Sequence, residues 1–210
     1  MTGTRRPLHQ RDLERMNLPN RFWESRLSGI QDEKAREVIR RYLLDGRYMH
    51  GEGLFLHGKY GVGKSSAAAV ILMEMRRRGY SGLWVEAAEF VDKMMQREMF
   101  DLDSSWSSRA REVDVLVLDD MGTEHHDAGG AIERMMEGVV RSRIQRKRIV
   151  ILTTNISPDR LGPHEESGVK VEGVYRRKFL EVIREALYPI CVQGSSLRRD
   201  TERKIADEYR

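Results

Sequence analysis

The run Gly58-Lys59-Tyr60-Gly61-Val62-Gly63-Lys64-Ser65 fits the spacing G-x-x-x-x-G-K-[ST], and that spacing has a chemical purpose. Glycines let a loop wrap with its N–H groups turned inward, where a side chain would collide with a phosphate. A helix beginning at the end of the loop, with Ser66 in its first turn, adds the positive end of its dipole to the same anion. Lys64 is placed to reach β- and γ-phosphates, and the Ser65 hydroxyl to ligate magnesium. The implied ligand is Mg-ATP.

Two further groups belong to the same chemistry. Asp119 and Asp120 close the apolar run "VLVLDD", and the C-terminal ends of strands in open α/β sheets are where ligands bind. Asp119 is read as the metal-side carboxylate and Asp120 as the base that orients and deprotonates the attacking water. A second apolar run, "ILTTN", ends in Asn155, a polar tip able to sense the γ-phosphate and position water. His125-His126-Asp127 does not read as a metal site, because adjacent residues rarely point at one ion and no cysteine lies nearby.

These residues need elements to hold them. "GLFLH" at 53–57 reads as the strand before the loop, and "SAAAVILMEMRRRG" after it as a helix closed by Gly79. Further strands are predicted at 82–87, 113–120, 148–155 and 189–193, and helices at 31–44, 88–99, 128–146 and 172–187. Continuous apolar runs alternating with helices predict an α/β fold, a parallel sheet covered on both faces. A polar, serine-rich stretch surrounds Trp106.

Composition narrows the class. The chain has 210 residues, 40% apolar and 33% charged, enough for one domain with a heavily charged surface. The single cysteine, Cys191, excludes an intrachain disulfide and reads as a small apolar residue in a buried strand. With no membrane-spanning apolar stretch and no signal-like N-terminus, the pattern predicts a soluble cytoplasmic protein. Net charge is only +4, but arginines cluster locally, as surfaces for polyanions do. One such cluster is Arg141, Arg143, Arg146, Lys147 and Arg148.

Together "GLFLHGKYGVGKS", "VDVLVLDDMGTE" and "ILTTN" resemble the DnaC/DnaI/IstB branch of the AAA+ ATPases. The resemblance runs over about residues 16–198, from "MNLPNRFWES" to the closing "VQGSSLR". It implies a P-loop AAA+ core with a five-stranded parallel sheet, little or no separate lid domain, and a homo-oligomer with ATP at subunit interfaces. The corresponding division is a basic flexible arm at 1–17, a helical lead-in at 18–50, the ATPase core at 51–198 and a charged tail at 199–210. The resemblance also implies a trans arginine finger, for which Arg176 and Arg177 are the candidates, and a nucleotide contact from Arg198 within its own subunit. Members load replicative helicases or assist transposition, and they bind single-stranded DNA. Here Phe90, Lys93 and Arg97 on one helix, with Trp106 and Arg109, lie where the family keeps its DNA contacts. About 15 residues precede the family-like region, so a separate helicase-gripping module is expected to be missing or reduced to the basic arm. The leading reading is a helicase loader. A transposition accessory that delivers a transposase, a small-molecule kinase and a nucleotide-gated scaffold with little turnover are the alternatives.

Overall fold

A computed structural model describes residues 6–100, 104–122, 131–166, 169–171 and 174–196. Five strands form the main sheet: β1 (Gly53–His57), β2 (Gly82–Glu86), β3 (Val115–Met121), β4 (Ile149–Thr154) and β7 (Leu187–Cys191). They pair in the order β2-β3-β4-β1-β7, and every pairing is parallel. Pro189 lies on β7, at the sheet edge, where a missing N–H is tolerated. A two-stranded hairpin, β5 (His164–Glu166) with β6 (Val169–Val171), stands apart from this sheet.

Successive strand side chains point to opposite faces, and here each face has its own core. Leu54, Leu56, Trp84, Val115, Val117, Ile149 and Ile151 pack on one side, against α2 (Glu33–Asp45) and α3 (Lys64–Arg77). Phe55, Leu83, Val85, Leu116, Leu118, Val150 and Leu152 pack on the other. That second face is covered by α4 (Ala87–Phe100), α5 (Ser104–Glu112), α6 (Ala131–Gln145) and α7 (Arg177–Ala186). The double covering explains why the strands read as unbroken apolar runs. Asp32 starts α2 by accepting from the Lys34 and Ala35 N–H groups, and Gly46 ends it at φ 71°.

Several sequence expectations are corrected. Over residues 6–17 the expected flexible arm is instead ordered: α1 (Gln10–Arg15) docks on the core through buried Leu13 and Met16. Asp12, also buried, accepts from Arg6 at 2.7 Å and from Arg76 at 2.8 Å, which pins the segment to α3. The serine-rich stretch, for which no element was predicted, is helical, as α5. Arg143 is no surface charge. It is fully buried, and its guanidinium donates to the carbonyls of Ala110, Asp114 and Ile149, tying α5 to the sheet. Burial pushes its pKa down to about 9. Cys191 is exposed on the edge strand rather than buried. Among the described residues, no helix is long and apolar enough to cross a membrane.

Candidate functional site

β1 delivers the chain into the loop at Gly58, whose φ of 150° and close packing both require glycine. A Cβ there would sit 2.1 Å from the Val192 carbonyl oxygen. Gly61 and Gly63 also have positive φ, at 79° and 96°, and Gly63 caps α3 directly. Val62 is buried beneath the loop, while Ser65 and Ser66 are half-buried in the first turn of α3. The closing segment walls the loop. Val192 donates to the His57 carbonyl at 2.8 Å, and a Cβ on Gly61 would meet the Ser196 hydroxyl at 2.3 Å. Burial pushes His57, at the end of β1, below its usual imidazole range, against a weaker upward pull from Asp159.

Lys64 is buried, and its ammonium donates to the Lys59 carbonyl at 2.8 Å and to Asn155 Oδ1 at 2.5 Å. The Asn155 amide in turn donates to Asp120 Oδ1. The lysine from α3, the asparagine after β4 and the second acid of β3 therefore form one hydrogen-bonded chain.

Asp119, buried in β3, accepts from the Thr153 hydroxyl at 2.6 Å, and Ser65 lies near it at the start of α3. Burial pushes its carboxyl up, opposed by those two hydroxyls and reinforced by the charges of Asp120 and Glu86. In a regular strand, Asp119 and Asp120 would face opposite sides of the sheet. Here both reach the Thr153 hydroxyl, because the β3–β4 register slips between Leu118 and Met121, where Asp120 adopts φ 59°. The Asp120 N–H then donates to the Thr153 hydroxyl at 2.9 Å. A serine hydroxyl and a carboxylate are hard oxygen donors of the kind magnesium takes, and Ser65 and Asp119 lie near one another beside the phosphate loop. Ser65 and Asp119 thus fit that ion.

Other predicted residues lie elsewhere. Arg176 caps α7 without a side-chain cap bond; its N–H donates to Glu133 at 2.8 Å, and its exposed guanidinium lies 3.7 Å from the same carboxylate. Arg177 is exposed in the first turn of α7. Arg198 lies outside the described residues, as do His125, His126 and Asp127. Phe90 is corrected: it is wholly buried in the second core, its ring centroid 5.6 Å from that of Trp106, so it offers no face to a base. Lys93 lies 5.0 Å over the Trp106 ring and pairs with Glu89 at 2.8 Å, and the exposed Arg109 donates to the Arg15 carbonyl. Arg97 belongs to α4, but its side chain is outside the described residues. The sequence reading missed Thr153 and the wall of Val192 and Ser196. The pair of threonines closing the apolar run just before Asn155 was the available signal for the first.

Comparisons with known proteins place the chain in a family. Residues 54–168 match the model of the ATPase family associated with various cellular activities (AAA). Over 177 residues, 83% of this chain and 55% of the relative, the sequence is 29% identical to the replicative helicase loader DnaI of Bacillus subtilis. It is 30% identical over 112 residues to an ATP-binding protein in an insertion sequence of Mycobacterium tuberculosis, covering 52% of this chain and 43% of that one. The chain thus spans about half the length of the curated relatives it matches. A crystal structure of DnaI superposes with a TM-score of 0.67 at 23% identity, over 89% of this chain and 99% of that one, sharing the fold. The chain belongs to the AAA family.

Proposed function

We propose that this AAA-family chain binds ATP with magnesium, hydrolyses it, and acts as the ATPase of a replicative-helicase loader that assembles on single-stranded DNA. The observation that carries the reading is the hydrogen-bonded chain Lys64–Asn155–Asp120, with Asp119 held beside it by Thr153. One lysine, one sensor and two acids, drawn from three elements, meet at the mouth of one phosphate loop.

In this reading the amides from Gly61 to Ser65 hold the phosphate oxygens, and Lys64 exchanges its bonds to Lys59 and Asn155 for bonds to phosphate. Ser65 and Asp119 would hold magnesium, which would supply charge neutralisation on the triphosphate. Freed from Lys64, Asn155 orients a water toward the γ-phosphorus, and Asp120 accepts its proton. Arg176 or Arg177, presented outward at the start of α7, enters the site of a neighbouring copy and neutralises charge on the transferring phosphoryl. The likeness to DnaI, a replicative helicase loader, supports a helicase as partner, and for the proposed single-stranded DNA, Lys93, Trp106 and Arg109 are the candidate contacts that remain on the surface side of α4 and α5.

The test is the ATPase rate with and without single-stranded DNA, alongside mass by light scattering with ATP. Stimulation by DNA and growth of the particle with ATP are expected, and Lys64→Ala should abolish both by losing nucleotide. Hydrolysis indifferent to DNA in a constant monomer would contradict it. The insertion-sequence relative favours a second reading, a transposition helper that delivers a transposase to target DNA. Preference for duplex over single strand at matched salt would select it.

A further inference from the structure

Resting on the hydrolysis just proposed, we infer that Thr153 is a positioning residue that holds both tandem acids in working order through one hydroxyl. A hydroxyl has one proton to give and lone pairs to receive with. Thr153 uses both: it donates to Asp119 Oδ1 at 2.6 Å and accepts from the Asp120 N–H at 2.9 Å. At 1% exposure, no water competes for either bond.

The second bond is the less ordinary one. Asp120 sits at φ 59° inside a strand, a left-handed conformation rare for residues other than glycine, so it needs support from its surroundings. The slip between Leu118 and Met121 removes Asp120 from the regular ladder, and the Thr153 hydroxyl takes over as partner for the freed N–H. The bulge is thereby fixed from the neighbouring strand, and the Asp120 carboxylate is directed to Asn155. The first bond fixes the Asp119 carboxylate beside Ser65.

Thr154 provides an internal control. It is equally buried and next in sequence, but its hydroxyl donates to the Met121 carbonyl and accepts from the Ile156 N–H, touching neither acid.

The experiment compares Thr153→Val, Thr153→Ser and Thr154→Val by steady-state ATPase kinetics, by binding of a fluorescent ADP analogue in EDTA, and by amide hydrogen exchange at Asp120 in nucleotide-free protein. In Thr153→Val, kcat should fall about 10- to 100-fold, as a small misplacement of reacting groups commonly causes, while binding in EDTA stays at the parent value. The Asp120 amide should lose protection. Thr153→Ser should restore both kcat and protection, and Thr154→Val should leave both intact. Parent-like kcat and protection in Thr153→Val would overturn the inference, as would an equal kcat loss in Thr154→Val. If Thr153→Val does not fold, Thr153→Ala is judged by the same readouts. A parent protein without ATPase activity would remove the hydrolytic reading, while the Asp120 exchange still decides whether Thr153 holds the bulge.

Discussion

Replacing Gly58 by alanine should damage nucleotide binding by moving the loop rather than by removing any group that touches phosphate. The added Cβ would lie 2.1 Å from the Val192 carbonyl oxygen and 3.2 Å from its carbon. Carbon–oxygen contacts normally begin near 3.3 Å, so something must move by roughly 1 Å. Val192 cannot readily retreat, because its own N–H is bonded to His57 at the end of β1. The loop must therefore yield. Displacing preorganised groups by about 1 Å can cost on the order of 100-fold, and overpacking adds about 1–3 kcal/mol of instability. Gly79→Ala separates collision from backbone strain. Gly79 has φ +94°, but a Cβ added there would meet nothing within 4 Å, so this variant should lose about 1–2 kcal/mol of stability and keep parent affinity. The assay is titration of a fluorescent ATP analogue with magnesium, paired with denaturant unfolding. Parent-like affinity in Gly58→Ala, or equal weakening in Gly79→Ala, would refute the reasoning.

Other consequences can be checked in parallel. Arg177→Ala should bind ATP normally yet lose about 1000-fold or more in turnover, and mixing it with Lys64→Ala should restore some activity if the finger acts in trans. Turnover like the parent would exclude Arg177 and leave Arg176. Phe90→Ala should cost about 3–5 kcal/mol in denaturant unfolding, as emptying a buried aromatic site does, with DNA affinity of the folded protein unchanged. Reduced DNA affinity at unchanged stability would return Phe90 to the DNA surface. Bonds from Arg6, and then Arg76, hold the Asp12 carboxyl well below the usual carboxylate range. With its folded pKa depressed, Asp12 stabilises fully above the ordinary carboxylate pKa of about 4, and this is lost as pH falls toward the folded value. Asp12→Asn should therefore lower the unfolding temperature at neutral pH and flatten its fall in acid. A parallel acid profile in the two proteins would refute the pairing.

The residues that read clearly from sequence are those whose demands are local. Gly58, Gly61, Gly63 and Lys64 announce a phosphate loop because the backbone there admits few other residue types. Strands β1 to β4 were legible as apolar runs, since both faces are covered, whereas β7 exposes Tyr188 and Cys191 at the sheet edge and begins two residues before the predicted 189–193. The same covering erased the alternation that would have said which residue faces which core. Positions settled by distant partners were not legible. Arg143 looks like one arginine among several until three carbonyls from separate elements surround it. Phe90 and Trp106 suggested a stacking surface, but only the packing of α4 on α5 decides that Phe90 points inward. The bulge at Asp120 depends on the register between β3 and β4, which no single stretch encodes. The β5–β6 hairpin carries His164-Glu165-Glu166 on one strand, with none of the apolar alternation that marks a strand.

The most direct test is a crystal structure of the chain grown with a non-hydrolysable ATP analogue and magnesium. The triphosphate should rest on the amides between Gly61 and Ser65, with Lys64 turned from Asn155 to phosphate and magnesium between Ser65 and Asp119. Nucleotide bound elsewhere, or a loop left empty while Lys64 keeps its bond to Asn155, would contradict the account.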